Sequence, residues 1–214
     1  MKGRSCGGLW WVNERYDGMG INIGYLTANR TSAGDEVYTP FYAVEPLTEF
    51  LPKDKRIWCP FDENWSAFYQ YLSENGYDVI RSSLREGQDF FSFEPDKWDI
   101  LVSNPPFSKK NEVLKRAFSL DKPFALLLPV NSIQGKARYK IFNNEIQLLC
   151  FDGRVDFHTR QNMQTTTKGN HFGSAYFCRD ILPTKLEMRQ LVRYDRPLVK
   201  LSGGDEKWEW SAMR

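Results

Sequence analysis

Four consecutive residues, Asn104-Pro105-Pro106-Phe107, are the part of this chain whose types and order are best suited to chemistry. Two successive prolines fix the backbone and remove two amide donors, so the loop is stiff and rich in acceptors. The Asn104 side-chain oxygen and the Pro105 carbonyl are both able to accept from one substrate NH2, and the Phe107 ring offers a face for a flat base to stack on. The arrangement suits an amine nucleophile. Other chemistries find less support. The four cysteines, Cys6, Cys59, Cys150 and Cys178, form no CxxC pair, and three of them sit in apolar runs that read as strands, so they are expected to be structural thiols. With only His158 and His171 besides, no metal site is expected.

The elements that must hold the loop follow from the alternation of apolar runs with helical patterns. Residues 41–51 suit a helix entered after Thr39-Pro40, and 56–59 (RIWC) a first strand. Residues 66–75 suit a helix closed by Gly76. Further strands are expected at 78–81, at 99–103 (DILVS, running into Asn104), at 123–128, at 147–151 and at 174–178, with a helix over 112–120. This order predicts an α/β fold, Rossmann-like and doubly wound around a mainly parallel sheet, whose ligands bind beyond the carboxyl ends of the strands. The expected organisation is an irregular N-terminal arm (1–34), a catalytic domain (35–182) and a C-terminal tail (183–214).

On these residues the chain resembles the S-adenosylmethionine-dependent amino-methyltransferases, whose signature (Asn/Asp/Ser)-Pro-Pro-(Tyr/Phe) is met by Asn104, Pro105, Pro106 and Phe107. With asparagine first it is most similar to the N6-adenine enzymes, including DNA adenine methylases of phage or mobile-element type, and the fold this implies is the class I methyltransferase fold. The resemblance implies S-adenosylmethionine as cofactor, with Asn104 and Pro105 polarising and orienting N6 and Phe107 stacking on the adenine. It also implies the cofactor residues. Tyr38-Thr39-Pro40 resembles an element that lies against the methionine end of the cofactor. Pro60 and Phe61 match a D-P-F-x-G-x-G turn, here Cys59-Pro60-Phe61-Asp62-Glu63-Asn64 with both glycines absent. Asn64 or Ser66 is expected to cap the helix that follows. The second strand ends Ile80-Arg81-Ser82-Ser83, with no carboxylate for the ribose, which leaves that role to Asp62 or to a serine. In Gly87-Gln88-Asp89-Phe90-Phe91, Asp89 is expected to accept from the cofactor adenine and Phe90 to pack on it.

Substrate contacts are assigned to Lys109, to Asn131 and Ser132 at the rim of the target pocket, and to Arg154, with His158, Arg160 and residues 164–171 forming a polar, basic loop. Charge supports a polyanionic partner. Residues 35–103 carry 14 acidic and 6 basic side chains, whereas residues 104–171 carry 11 basic and 5 acidic, so polarity changes sign at the reactive loop. The expected partner is nucleic acid, DNA favoured over RNA, with a base flipped out of its stack and a protein partner considered for target recognition. No apolar run is long enough for a membrane span or a secretory signal, and a cytoplasmic location is expected. The alternative reading is a catalytically decayed methyltransferase fold acting as a nucleic-acid or protein-binding module. A nicotinamide oxidoreductase is poorly supported, since no GxGxxG follows the first strand.

Overall fold

The computed structural model describes residues 37–168, 170 and 172–199. The expected arm, Cys6 and His171 lie outside them. Strand β1 (Val37–Tyr38) leads through Pro40 into α1 (Phe41–Val44), which tightens into a 3-10 turn over Glu45–Phe50. The single helix expected over 41–51 is thus split. Pro46 explains it, because its ring displaces the carbonyl four residues back and it has no N–H to give. Strand β2 (Arg56–Cys59), helix α2 (Ala67–Glu74), strands β3 (Asp78–Arg81) and β4 (Ile100–Ser103), helix α3 (Lys110–Ser119) and strand β5 (Phe124–Pro129) follow within about two residues of expectation. Then come α4 (Lys136–Phe142), β6 (Gln147–Phe151), β7 (His158–Thr159), β8 (Ser174–Arg179) and β9 (Leu186–Arg189).

Seven strands form one sheet in the order β3-β2-β4-β5-β8-β6-β9, and β1 pairs with β7 in a separate ladder. Pairings are parallel except those of β8, which runs antiparallel to both β5 and β6. The fold is therefore Rossmann-like and doubly wound around a mainly parallel sheet. Alternate residues face opposite sides, as strand geometry requires. Ile57, Cys59, Ile100, Val102, Ala125, Leu127, Tyr176 and Cys178 pack with α1 and α2, while Trp58, Leu101, Leu126, Leu128 and Phe177 pack with α3 and Phe142 of α4. Cys59, Cys150 and Cys178 are free thiols within strands; Cys59 and Cys178 are buried, which pushes both thiols up in pKa.

The boundary expected at residue 182 is not a break in the fold. Strand β9 hydrogen-bonds β6, Leu191 and Leu198 are buried in the core on the α1/α2 face, and Arg196 pairs with Glu74 at 2.7 Å. Strand β6 would otherwise present an open edge, and the downstream chain closes it.

Candidate active site

The sheet order reverses between β2, whose crossover leads out to β3, and β4, whose crossover leads the other way to β5. At such a point the loops beyond the two carboxyl ends diverge and leave a crevice. A cleft of about 210 Å³ lies there. Its walls are Val37, Tyr38 and Thr39 at β1, Phe61, Asp62, Glu63, Trp65 and Ser66 after β2 with Ala67 and Phe68 at the start of α2, Ser83, Leu84 and Arg85 after β3, and Asn104, Pro105 and Pro106 after β4.

Asn104 is fixed by one bond and left open by another. Its amide nitrogen donates to the Val37 carbonyl at 3.0 Å, while its Oδ1 is buried with no partner. A buried carbonyl oxygen without a donor costs on the order of 1–3 kcal/mol, so the amide is held as an acceptor awaiting an N–H. The prolines supply the stiffness: Pro106 stands at φ −59° before the 3-10 turn Phe107–Lys109. Phe107 is half-buried, held edge-on by Phe157 (6.3 Å between ring centroids) and Phe172 (5.6 Å), next to the cleft wall rather than in it.

In the loop after β2, Asp62 is 5% exposed and accepts from the Ser103 hydroxyl, which ties the end of β4 to that loop. Burial raises its pKa to about 7, against the lowering effect of the Ser103 and Ser66 hydroxyls. The Asp62 amide donates to the Ser82 carbonyl at 3.3 Å, so the loops after β2 and β3 are joined as well. Ser66 stands at the helix N-cap position, yet its hydroxyl accepts from the Glu63 amide at 2.8 Å and bonds no helix amide. The expected cap is corrected accordingly. Asn64 does not cap either, since its Oδ1 accepts from Arg81 Nε.

Of the expected site residues, the cleft gathers Tyr38, Thr39, Phe61, Asp62, Asn104, Pro105 and Pro106. Pro40 and Pro60 flank it in sequence without lining it. Asp89 closes its own turn, its Oδ1 accepting from the Phe91 amide at 3.0 Å, and Phe90 is buried against Trp58, Phe61 and Phe91. Lys109 is exposed, its Nζ 5.6 Å from the Phe91 ring centroid. Asn131 is exposed and Ser132 buried in the turn after β5, and Arg154 donates to the Asn170 carbonyl at 3.1 Å. His158 is not part of a surface loop. It lies in β7 opposite Tyr38, buried, and burial lowers its imidazole pKa.

Sequence reasoning did not assign Trp65 or Arg85 to the site, both of which line the cleft. The Ser83 hydroxyl and Thr39 Oγ1 are buried without partners, and the Trp65 ring meets the Tyr38 ring edge-on at 4.8 Å. Ser66 and Ser83, which also line the cleft, had each left a signal, Ser66 in the turn that lacks the glycines and Ser83 as one of the serines ending a strand without the expected carboxylate. Among the described residues, no group of three or more His, Cys, Asp or Glu side chains is placed to hold a metal ion, and no helix is long and apolar enough to cross a membrane.

No protein-family profile matches the chain. A stretch of 97 residues is 37% identical to the Type II methyltransferase M.EcoRI of Escherichia coli, covering 41% of this chain and 30% of that protein. The likeness is to a methyltransferase. The chain spans about 30% of the length of the curated relative it matches. Solved structures similar to it include a modification subunit of a candidate type I restriction enzyme from Vibrio vulnificus, at TM-score 0.41 and 9% identity over 88% of this chain and 52% of that one. Another is a candidate class I S-adenosylmethionine-dependent methyltransferase from Listeria monocytogenes, at TM-score 0.41 and 13% identity over 72% of this chain and 65% of that one.

Proposed function

We propose that the chain is an S-adenosylmethionine-dependent methyltransferase of the class I fold, acting on the exocyclic N6 of adenine in DNA. The observation that carries this reading is the Asn104 carboxamide, anchored through its nitrogen and presenting a buried, unpartnered oxygen in a cleft at the switch point of the sheet. The partial identity with a Type II methyltransferase supports the same chemistry.

The cleft's donor set fits the cofactor. Thr39 Oγ1 and Ser83 Oγ are orphaned polar atoms, Asp62 is a buried carboxylate, and Phe61 and Tyr38 add apolar and aromatic wall. Asp62 and Ser83 are proposed to hold the ribose in place of the acidic residue missing after β3, and Tyr38, Thr39 and Pro40 the methionine end. When bound, S-adenosylmethionine supplies an electrophilic methyl on a sulfonium, which needs no acid or base to activate it.

The remaining catalysis is positioning. The N6 lone pair of adenine is delocalised into the ring, and it becomes available as the NH2 hydrogens are drawn towards two acceptors. Asn104 Oδ1 is proposed as one and the Pro105 carbonyl as the other, with Pro106 keeping the turn from relaxing. Phe107, braced by Phe157 and Phe172, offers its ring to the base. Such hydrogen bonds, aligned before the reaction and strengthened as charge develops on N6, supply the rate.

Calorimetric titration tests the reading. Binding of S-adenosylmethionine with one site per chain is expected, and no heat at millimolar ligand would end the proposal.

A further inference from the structure

The segment that follows β5 is exposed, apolar in part and cationic, an unusual combination beside a cleft. Val130 is 41% exposed, Ile133 36% and Tyr139 77%. In α4, residues 136, 139 and 140 fall on one helical face, while 138, 141 and 142 fall on the opposite one. Phe142 is buried and Arg138 donates to Asn111 Oδ1 at 2.9 Å, so the inner face clamps α4 against α3. The outer face therefore carries Lys136, Tyr139 and Lys140. All three are exposed, and neither lysine is held by an ion pair within the described residues.

This segment borders the reactive loop. Strands β4 and β5 are parallel neighbours, Ser103 opposite Leu126, so their loops leave the same sheet edge side by side. Val130 donates its amide to the Gly173 carbonyl at 2.8 Å, and the adjoining Phe172 ring packs on Phe107. Residues 104–144 contain eight Lys or Arg and only two acidic side chains, Glu112 and Asp121, of which Asp121 is paired with Arg179 at 2.8 Å.

We propose that residues 130–140 form the docking surface for a DNA duplex, with Lys136 and Lys140 on backbone phosphates, Tyr139 against the backbone between them, and Val130 and Ile133 against the base stack opened beside the cleft. Charge complementarity selects a polyanion. The exposed aliphatic rim selects a duplex, because removing a base from a stack leaves an apolar gap that side chains such as these fill. This inference rests on the nucleic-acid part of the function proposed above, and its test separates the two.

Fluorescence anisotropy with an adenine-containing 20-mer duplex reads binding without methyl transfer, which is assayed in parallel. In Lys136→Gln/Lys140→Gln, affinity should fall at least about tenfold and the slope of log K against log salt by roughly two, close to one for each phosphate no longer neutralised. Ile133→Ala should weaken binding to the duplex more than to the same strand unpaired. The control Lys55→Gln/Lys97→Gln, at the opposite, amino-terminal edge of the sheet, should change neither. An unaltered salt slope in the first variant, with the wild-type protein binding and methylating DNA, overturns the docking surface and leaves the methyltransferase reading standing. The expected slope change in a protein that transfers no methyl group does the reverse. Tighter binding to single-stranded RNA than to the duplex also overturns the proposal.

Discussion

At the residue scale, the proposed function rests on two side chains of the cleft whose chemistry is opposite. Asn104 offers an oxygen with no donor, and Asp62 an acid that burial has made weak. Asn104→Ala removes the acceptor and the bond to the Val37 carbonyl, while the pairing of β1 with β7 still holds that wall. Methyl transfer should then fall by at least about a hundredfold with cofactor affinity nearly unchanged, the range for losing one aligned transition-state hydrogen bond. Equal loss of affinity and turnover would instead make Asn104 a binding residue. Asp62 makes stability depend on pH. Its pKa in the folded state, about 7, lies above the ordinary value of 3.8, so the folded protein holds this proton more tightly than the unfolded chain does. Its contribution is complete below pH 4 and is lost as pH rises towards 7, the reverse of a salt-bridged carboxylate. Asp62→Asn should flatten that part of the stability profile, measured by urea midpoints between pH 4 and 8. A wild-type midpoint that rises steadily over this range, with the variant parallel to it, would contradict the assignment.

At the element scale, the chain signals clearly where local and tertiary preferences agree. Gly76 is an example. It adopts φ +77°, its amide bonds the Ser73 carbonyl and the Tyr77 amide bonds the Leu72 carbonyl, which together close α2 with the residue expected from sequence. An added Cβ at Gly76 meets no atom within 4 Å, so Gly76→Ala should cost only the backbone strain, about 1 kcal/mol in chemical denaturation. A cost several times larger would mean a contact this geometry lacks. The main strands were legible for the same reason, each being a short apolar run bounded by turn residues. Others were not. The β1–β7 ladder is two residues long, too short to show a period, and α4 has only Ile141 and Phe142 as large buried-face residues in a charged stretch. Strand β9, Leu186–Arg189, alternates exposed and half-buried residues and is recruited by the open edge of β6, a cause that local sequence does not contain.

At the scale of the whole molecule, the switch point of the sheet decides which motifs meet. Sequence order separates Tyr38, Asp62, Ser83 and Asn104; the reversal between β2 and β4 brings the last three to one cleft, and the bond from Asn104 to the Val37 carbonyl adds Tyr38. Phe61, Asp62, Asn104, Pro105 and Pro106 line the cleft because they follow β2 and β4 at their carboxyl ends, whereas Tyr38 and Thr39 were assigned from the Tyr-Thr-Pro resemblance alone. Asp89 and Phe90 could not be placed that way: their segment turns on itself and packs on Trp58, so chemical type alone did not fix their position. The missing glycines after β2 also find a physical counterpart. The loop is held by Asp62, Ser66 and Asn64 bonding Ser103, the Glu63 amide and Arg81, instead of by glycine conformations.

Whether the Asn104 loop delivers a methyl group to adenine N6 is decided by nucleoside mass spectrometry of adenine-containing duplex DNA incubated with the protein and S-adenosylmethionine bearing a trideuterated methyl group. Trideuterated N6-methyldeoxyadenosine is expected in the wild-type digest, and its near absence with Asn104→Ala. Label on cytosine, or no labelled nucleoside at all from protein that binds the cofactor, would contradict that chemistry.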